Sequence, residues 1–140
     1  MSKEIFVDKI YLKDSNLETP SSPDVFQEEM NKVQVTMDCN VGNKLLLPPN
    51  YYEVVLEMNV VGKWRDEFLY VLNVTYGGLF NIKGHTKEEQ KRALSVECPL
   101  LLFPYVQQHI AAVTAQTGLH PAVIQPINFE GLFEDGSKES

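Results

Sequence analysis

The sequence predicts an α+β fold built on a four-stranded antiparallel sheet, and three observations carry the prediction. Four β-patterned segments follow one another between Ile5 and Gly84. The later links between them are short, which favours antiparallel pairing and lets one sheet face be solvated. Beyond Gly84 the apolar period changes from that of a strand to that of a helix.

The first segment, "IFVDKIYLK" at residues 5–13, is rich in β-formers and bounded by "DSNLETPSSPD". The prolines and serines of that stretch predict an irregular connection over residues 14–24. In "KVQVTMDCN", Val33, Val35 and Met37 alternate with Gln34, Thr36 and Asp38, the pattern of a half-buried strand. "LLLPPN" is expected as a loop, because consecutive prolines donate no ladder hydrogen bonds. From Tyr51 to Val61 the alternation is clean. Tyr52, Val54, Leu56, Met58 and Val60 share one side, and Glu53, Glu57 and Asn59 share the other with Val55. "GKWRDE" turns the chain into "EFLYVLNVTYGGLFNIKG", Glu67 to Gly84, with Tyr70, Leu72, Val74 and Tyr76 on one face. Gly77 and Gly78 interrupt this strand before Leu79, Phe80 and Ile82. Glycine inside a strand marks a bend or a close backbone approach.

Thr86 followed by Glu89 forms a capping-box pattern, so "KEEQKRALSVE" is expected as a short helix stopped by Pro99. Pro104 sits where a second, longer helix can begin. Tyr105, Val106, His109, Ile110 and Val113 then recur at helical spacing, and Gly118 suits the C-terminal cap. "HPAVIQPINF" reads as extended, and Asn128 can cap a last short helix through Phe133. The chain is expected to be one domain over 1–140, with mobile tails at 1–4 and 135–140.

Composition bounds the function. The 140 residues are 44% hydrophobic and 22% charged, an ordinary globular mixture. A net charge of −7 argues against nucleic acid, whose readers cluster Lys and Arg. No apolar run approaches a membrane-spanning length, and "MSKEIFVDK" lacks the pattern of a secretory signal. Cys39 and Cys98 stand in no metal-ligand spacing and are expected as free thiols. The expected compartment is the cytoplasm.

The residues offer no catalytic constellation. His85, His109 and His120 have no Cys, Asp or Glu at the offsets of metal motifs. Cys98 and His109 are the conceivable nucleophile pair, but a thiol buried at a helix junction stays protonated. "GGLFNIKG" is followed by no GK[ST] and opens no helix. The neighbouring acids Glu28–Glu29 and Glu88–Glu89 point their side chains apart. Neither an enzyme activity nor a metal or other cofactor is expected. Apolar content is in surplus instead: "CPLLLFPYV", "PINFEGLF", Phe26, Met30, Tyr76, Leu79 and Phe80 exceed what one sheet and two helices hide. That surplus implies a subunit interface or an apolar groove, with burial of all of it in the core of a monomer as the alternative.

Four blocks in order, "IYLKDSNLETPSSPDVF", "YGGLFNIKG", "CPLLLFPYV" and "QPINFEGLF", resemble the SecB family of bacterial export chaperones. The resemblance runs from Ile5 to Phe133. It implies helices packed on one face of the sheet and a homotetramer, a dimer of dimers with the long helices between two sheets. It also implies binding of unfolded precursor proteins without ATP and delivery to the ATPase SecA. A same-fold alternative is a specialised chaperone for a single client such as an antitoxin.

In this frame Gly77 and Gly78 let the strand bend, so that Leu79 and Phe80 continue in a different plane; a plain β-bulge is the alternative. Phe26, Met30, Leu79, Phe80, Phe129, Leu132 and Phe133 are expected in the client groove. Asp14, Glu18, Val71 and Asn73 are expected at the SecA-binding face, with Asn73 standing where many members carry an acid. Leu72, Val74, Tyr76, Tyr105, Val106, His109, Ile110 and Val113 are expected at the oligomer interface. Met30, Gln107 and His120 also depart from the family's usual residues.

Overall fold

Alternating apolar residues need a covered face, and the computed structural model, which describes residues 4–139, supplies one. Strands β1 (Glu4–Glu18), β2 (Gln34–Leu47), β3 (Tyr51–Trp64) and β4 (Glu67–Lys83) form an antiparallel sheet in the order β1-β4-β3-β2. Val54, Leu56, Met58 and Val60 of β3 are buried on one face beside Leu72, Val74, Phe80 and Ile82 of β4. Each such side chain contributes about 1.5–3 kcal/mol by leaving water. The cover is a helical run of α1 (Lys87–Arg92), a widened turn at Ala93–Glu97, and α2 (Cys98–Ala115). Leu102, Val106 and Ile110 of α2 face the sheet and are fully buried. Helix α3 (Phe129–Glu139) follows after an irregular segment.

The local signals at the helix ends hold. Thr86 Oγ1 accepts from the Glu89 amide at 3.2 Å, and Glu89 Oε1 accepts from the Thr86 amide at 2.9 Å. Gly118 has φ +78°, the left-handed conformation that ends a helix. Asn128 Oδ1 accepts from the Gly131 amide at 3.0 Å and caps α3.

Several expectations are corrected. Residues 14–18 are strand, because β4 is long enough to pair Asp14 with Thr75 and Glu18 with Val71. Polar residues suit an edge strand whose outer side is wet. Strand β2 likewise runs through Leu47, leaving only Pro48–Asn50 as the turn. Val35 and Met37 lie on the inner side of β2 but remain 42% and 40% exposed, since α2 lies over β3 and β4. Neither proline divides the helix as expected. The Cys98 amide reaches back to the Ala93 carbonyl, a wider loop than an α-turn, just before Pro99. Pro104 stands inside α2 on its exposed side, where the carbonyl it leaves unpaired can meet water. The expected tail is helical as far as Glu139, while residues 1–3 and 140 lie outside the described residues.

Strand β4 carries no bulge at Gly77–Gly78. Its pairing with β3 passes without a shift from Leu56–Tyr76 to Tyr52–Phe80, and Phe80 stays on the face of Tyr76. The glycines are close approaches. A Cβ at Gly77 would lie 2.7 Å from the Tyr11 ring, and one at Gly78 would lie 2.5 Å from the Phe80 ring. The register shifts lie elsewhere: at Val7/Lys9 and Leu12/Asp14 in β1, at Leu45/Leu47 in β2, and between β3 and β4 at Gly62/Lys63.

Candidate functional site

The capped α3 places its apolar side against the helical run. Phe129 meets Phe103 of α2 edge to face, with centroids 6.1 Å apart at 73°. An ion pair between Arg92 and Glu130 ties α3 to α1 and holds the Glu130 carboxyl below its ordinary range. Between these elements and β2 opens a cavity of about 620 Å³. Phe129, Leu132 and Phe133 line one wall, Leu94 and Ser95 the floor, and Cys39, Val41 and Asn43 the β2 side. Strand β2 pairs only with β3, so its other edge keeps free main-chain donors and acceptors beside the cavity.

The structure thus brings Phe129, Leu132 and Phe133 together and separates them from the other expected groove residues. Phe80 is fully buried under Leu102, so it lines no open groove. Leu79 lies on the opposite sheet face, paired with Glu53. Phe26 is 47% exposed and rests on Gly118, past the far end of α2. That end is roughly 20 Å from Phe103 along the helix rise. Met30 is half-buried against the core. Cys39, Val41, Leu94 and Lys91 were missed. The signal for the first two was present, since the alternation of Val35 and Met37 continues through Cys39 and Val41 on the same face.

The outer sheet face gathers Asp14, Glu18, Val71 and Asn73. Asp14 pairs with Thr75, Glu18 with Val71, and Asn16 with Asn73, all on the side away from α2. Asn73 donates to Glu57 Oε2 at 3.2 Å and also to Asn59 Oδ1, so an acid from β3 stands beside the amide. Farther along this face Glu53 accepts from the Tyr11 hydroxyl and pairs with Lys13 at 2.9 Å. Burial, together with the Glu53 bond, pushes the Tyr11 hydroxyl up to about 12.

The expected interface residues split. Leu72, Val74, Val106 and Ile110 are fully buried within one chain and are spent on its own core, so they meet no second subunit directly. Tyr105 is 47% exposed, while Tyr76, His109 and Val113 are half-buried. His109 Nε2 lies 2.9 Å from Ser15 Oγ and its ring stands edge-on to Tyr76, joining α2 to β1. Partial burial holds its pKa below the ordinary value.

Chemistry at Cys98 is excluded as a pair with His109. The two stand eleven residues apart on one helix, or about 16 Å of rise. Burial pushes the Cys98 thiol up to about 12, far from a reactive thiolate. Among the described residues no group of three or more His, Cys, Asp or Glu could hold a metal, and no helix is long and apolar enough to cross a membrane.

Over residues 1–140 the chain matches the family model described as preprotein translocase subunit SecB. It is 38% identical over 133 residues to the protein-export protein SecB of Magnetococcus marinus, covering 94% of this chain and 83% of that protein. A protein of the same description from Hahella chejuensis is 36% identical over 130 residues, covering 93% and 80%. Among solved structures, a SecB-like chaperone of Mycobacterium tuberculosis bound to an antitoxin peptide superposes with a TM-score of 0.70. That match covers 89% and 91% of the two chains at 11% identity, a likeness of fold alone.

Proposed function

Because this chain belongs to the SecB family of protein-export chaperones, we propose that it holds precursor proteins unfolded without ATP and hands them to the SecA ATPase. The observation that carries the reading is the cavity walled by Phe129, Leu132 and Phe133 and opening beside the free edge of β2. An unfolded segment can add its main chain to that edge and place alternate apolar side chains in the cavity. Folded proteins bury such segments and present neither feature, so binding selects for the unfolded state without reading a sequence closely.

The proposed assembly is a homotetramer acting in the cytoplasm. Its support is α2, eighteen residues without Asp, Glu, Lys or Arg, on which Leu101 and Tyr105 remain 42% and 47% exposed. An uncharged helix with an apolar outer stripe is suited to being covered on both sides. Asp14, Glu18 and Glu57, with Val71 and Asn73, form the face offered to SecA. The turned-away acids leave the cavity free for the client. Catalysis has no part in this reading. A role restricted to an antitoxin is the weaker reading, because the antitoxin-bound relative shares the fold at 11% identity while export proteins share 36–38%.

The test is capture of newly made precursors by the purified protein, with and without SecA. Wild type should retain precursors in a translocation-competent state and release them when SecA and ATP are added. Leu132→Asp, at an exposed position of the cavity wall, should reduce capture at least several-fold while leaving the fold intact. Equal capture by that variant would overturn the assignment of the cavity.

A further inference from the structure

We propose that His109 makes the assembly sensitive to protons: when its imidazole takes one up, the helix face that meets the neighbouring chains acquires a charge and the oligomer weakens. The inference rests on the reading that α2 is covered by other copies of this chain. Over Cys98–Ala115 the helix carries no Asp, Glu, Lys or Arg, so His109 is the one side chain in it that can become a cation. It stands one turn beyond Tyr105, on the flank of α2 that runs beside β1. The Tyr76 ring lies 6.3 Å from that of Tyr105 and 5.8 Å from that of His109, so the three form one cluster. Through the exposed Tyr105 the cluster reaches from the sheet to the outer stripe of the helix.

No acid stands ready to compensate an imidazolium there. From β1, Ser15 Oγ lies 2.9 Å from Nε2, while Asp14 and Lys13 serve the other sheet face, opposite Thr75 and bound to Glu53. Strand β4 presents Tyr76, and β3 presents Val54, Leu56, Met58 and Val60. The segment that follows α2, which includes His120, packs beside Gln107 and Ala111 on the opposite flank. Glu97 precedes His109 by twelve residues, about 18 Å of helix rise. Ser15 serves either state, since its hydroxyl donates to a bare Nε2 and accepts from a protonated one. The proton therefore changes the charge and keeps the contact. A cation covered by apolar surface without a counter-charge is costly. Burial already holds the His109 pKa below its ordinary value, and cover by a second copy lowers it further. The separated chain then binds the proton more readily than the assembled one. Assembly is undiminished above the separated chain's pKa and weakens as pH falls below it, in the window under about 6.5.

The experiment is sedimentation velocity of the full-length protein from about pH 8 to about pH 5.5, above the carboxylate range. The dissociation constant of the wild-type oligomer should rise at least about tenfold across that range, the effect of one unit of pKa shift. His109→Gln, or His109→Asn where the first fails to fold by circular dichroism, should stay assembled throughout. His120→Gln should keep the wild-type loss, and His109→Lys, a permanent cation, should be dissociated already at the alkaline end. Three results overturn the inference while leaving the assembly standing: a wild-type oligomer indifferent to pH, the same acid loss in His109→Gln, or normal assembly of His109→Lys. A wild-type monomer at every pH overturns the assembly reading and this inference with it.

Discussion

Where two rings lie flat on a backbone, one methyl group is a severe intrusion. A Cβ on Gly78 would stand 2.5 Å from Phe80 and 3.0 Å from Leu102, both fully buried. Gly78→Ala should therefore destabilise the fold by about 1–3 kcal/mol, the range for overpacked cores. Gly42→Ala, whose Cβ would meet only Val55 at 3.2 Å on an edge strand, should cost distinctly less. Urea unfolding of both variants checks the contrast, and equal midpoints would remove the close-approach explanation of the glycine pair. Glu53 gives a pH test at the same scale. The Tyr11 hydroxyl, then Lys13, hold its carboxyl below the ordinary 4.5. A carboxylate with a depressed folded pKa contributes stability that is fully present above its unfolded pKa and is lost as pH falls through the lower folded value. Glu53→Gln should thus flatten the acid limb of the stability curve below about pH 4.5, measured by urea midpoints across that window. An acid limb as steep as wild type would show that Glu53 titrates alike in both states.

Strands β3 and β4 were legible because both carry long alternations that end in a covered face, and the structure keeps every inner residue from Val54 to Val60 where the pattern puts it. Strand β1 was legible only to residue 13, since Asp14, Ser15 and Asn16 are turn-formers until β4 offers them a ladder; pairing across sixty residues overrides local propensity. In the sequence Pro99 and Pro104 read as helix boundaries, whereas in the fold a widened turn and an exposed carbonyl absorb them and the helical run continues. For the same reason the cavity was half visible: Phe129, Leu132 and Phe133 form one local helix, but their partners on β2 arrive through tertiary packing. Helix α2 carries the test at this scale. Leu101→Glu puts a charge on its exposed uncharged stripe. Light scattering at micromolar concentration should give about four times 15.9 kDa for wild type and a smaller species for Leu101→Glu, with unchanged circular dichroism. A wild-type monomer would sink the assembly.

At the scale of the whole molecule the proposed function divides the labour between the two sheet faces, and charge is what distinguishes them. The helix-covered side carries the cavity walled by Phe129, Leu132 and Phe133, and the open side carries Asp14 and Glu18 on β1 and Glu57 on β3. Asp14 and Glu18 point the same way along one strand, about 13 Å apart by strand rise, which spaces them for a basic segment rather than for a single ion. Asn73 is uncharged on this face, and its amide donates one hydrogen bond to Glu57, an acid beside it. Exposed ion pairs are individually weak, on the order of 0–1 kcal/mol. Repetition of the face in a symmetric oligomer raises the avidity of a partner able to span two copies. Replacing both Asp14 and Glu18 by Lys should therefore weaken SecA binding by at least tenfold at low salt and reduce its salt dependence. Affinity for an unfolded client should change little, because the cavity lies on the other side of the sheet, whereas Phe133→Ala should lower client affinity and spare SecA. Surface-immobilised SecA and a labelled unfolded precursor, titrated in parallel, read both affinities on each variant. Loss of client binding with SecA binding retained in the charge-reversed protein would show that the two faces do not divide the work in this way.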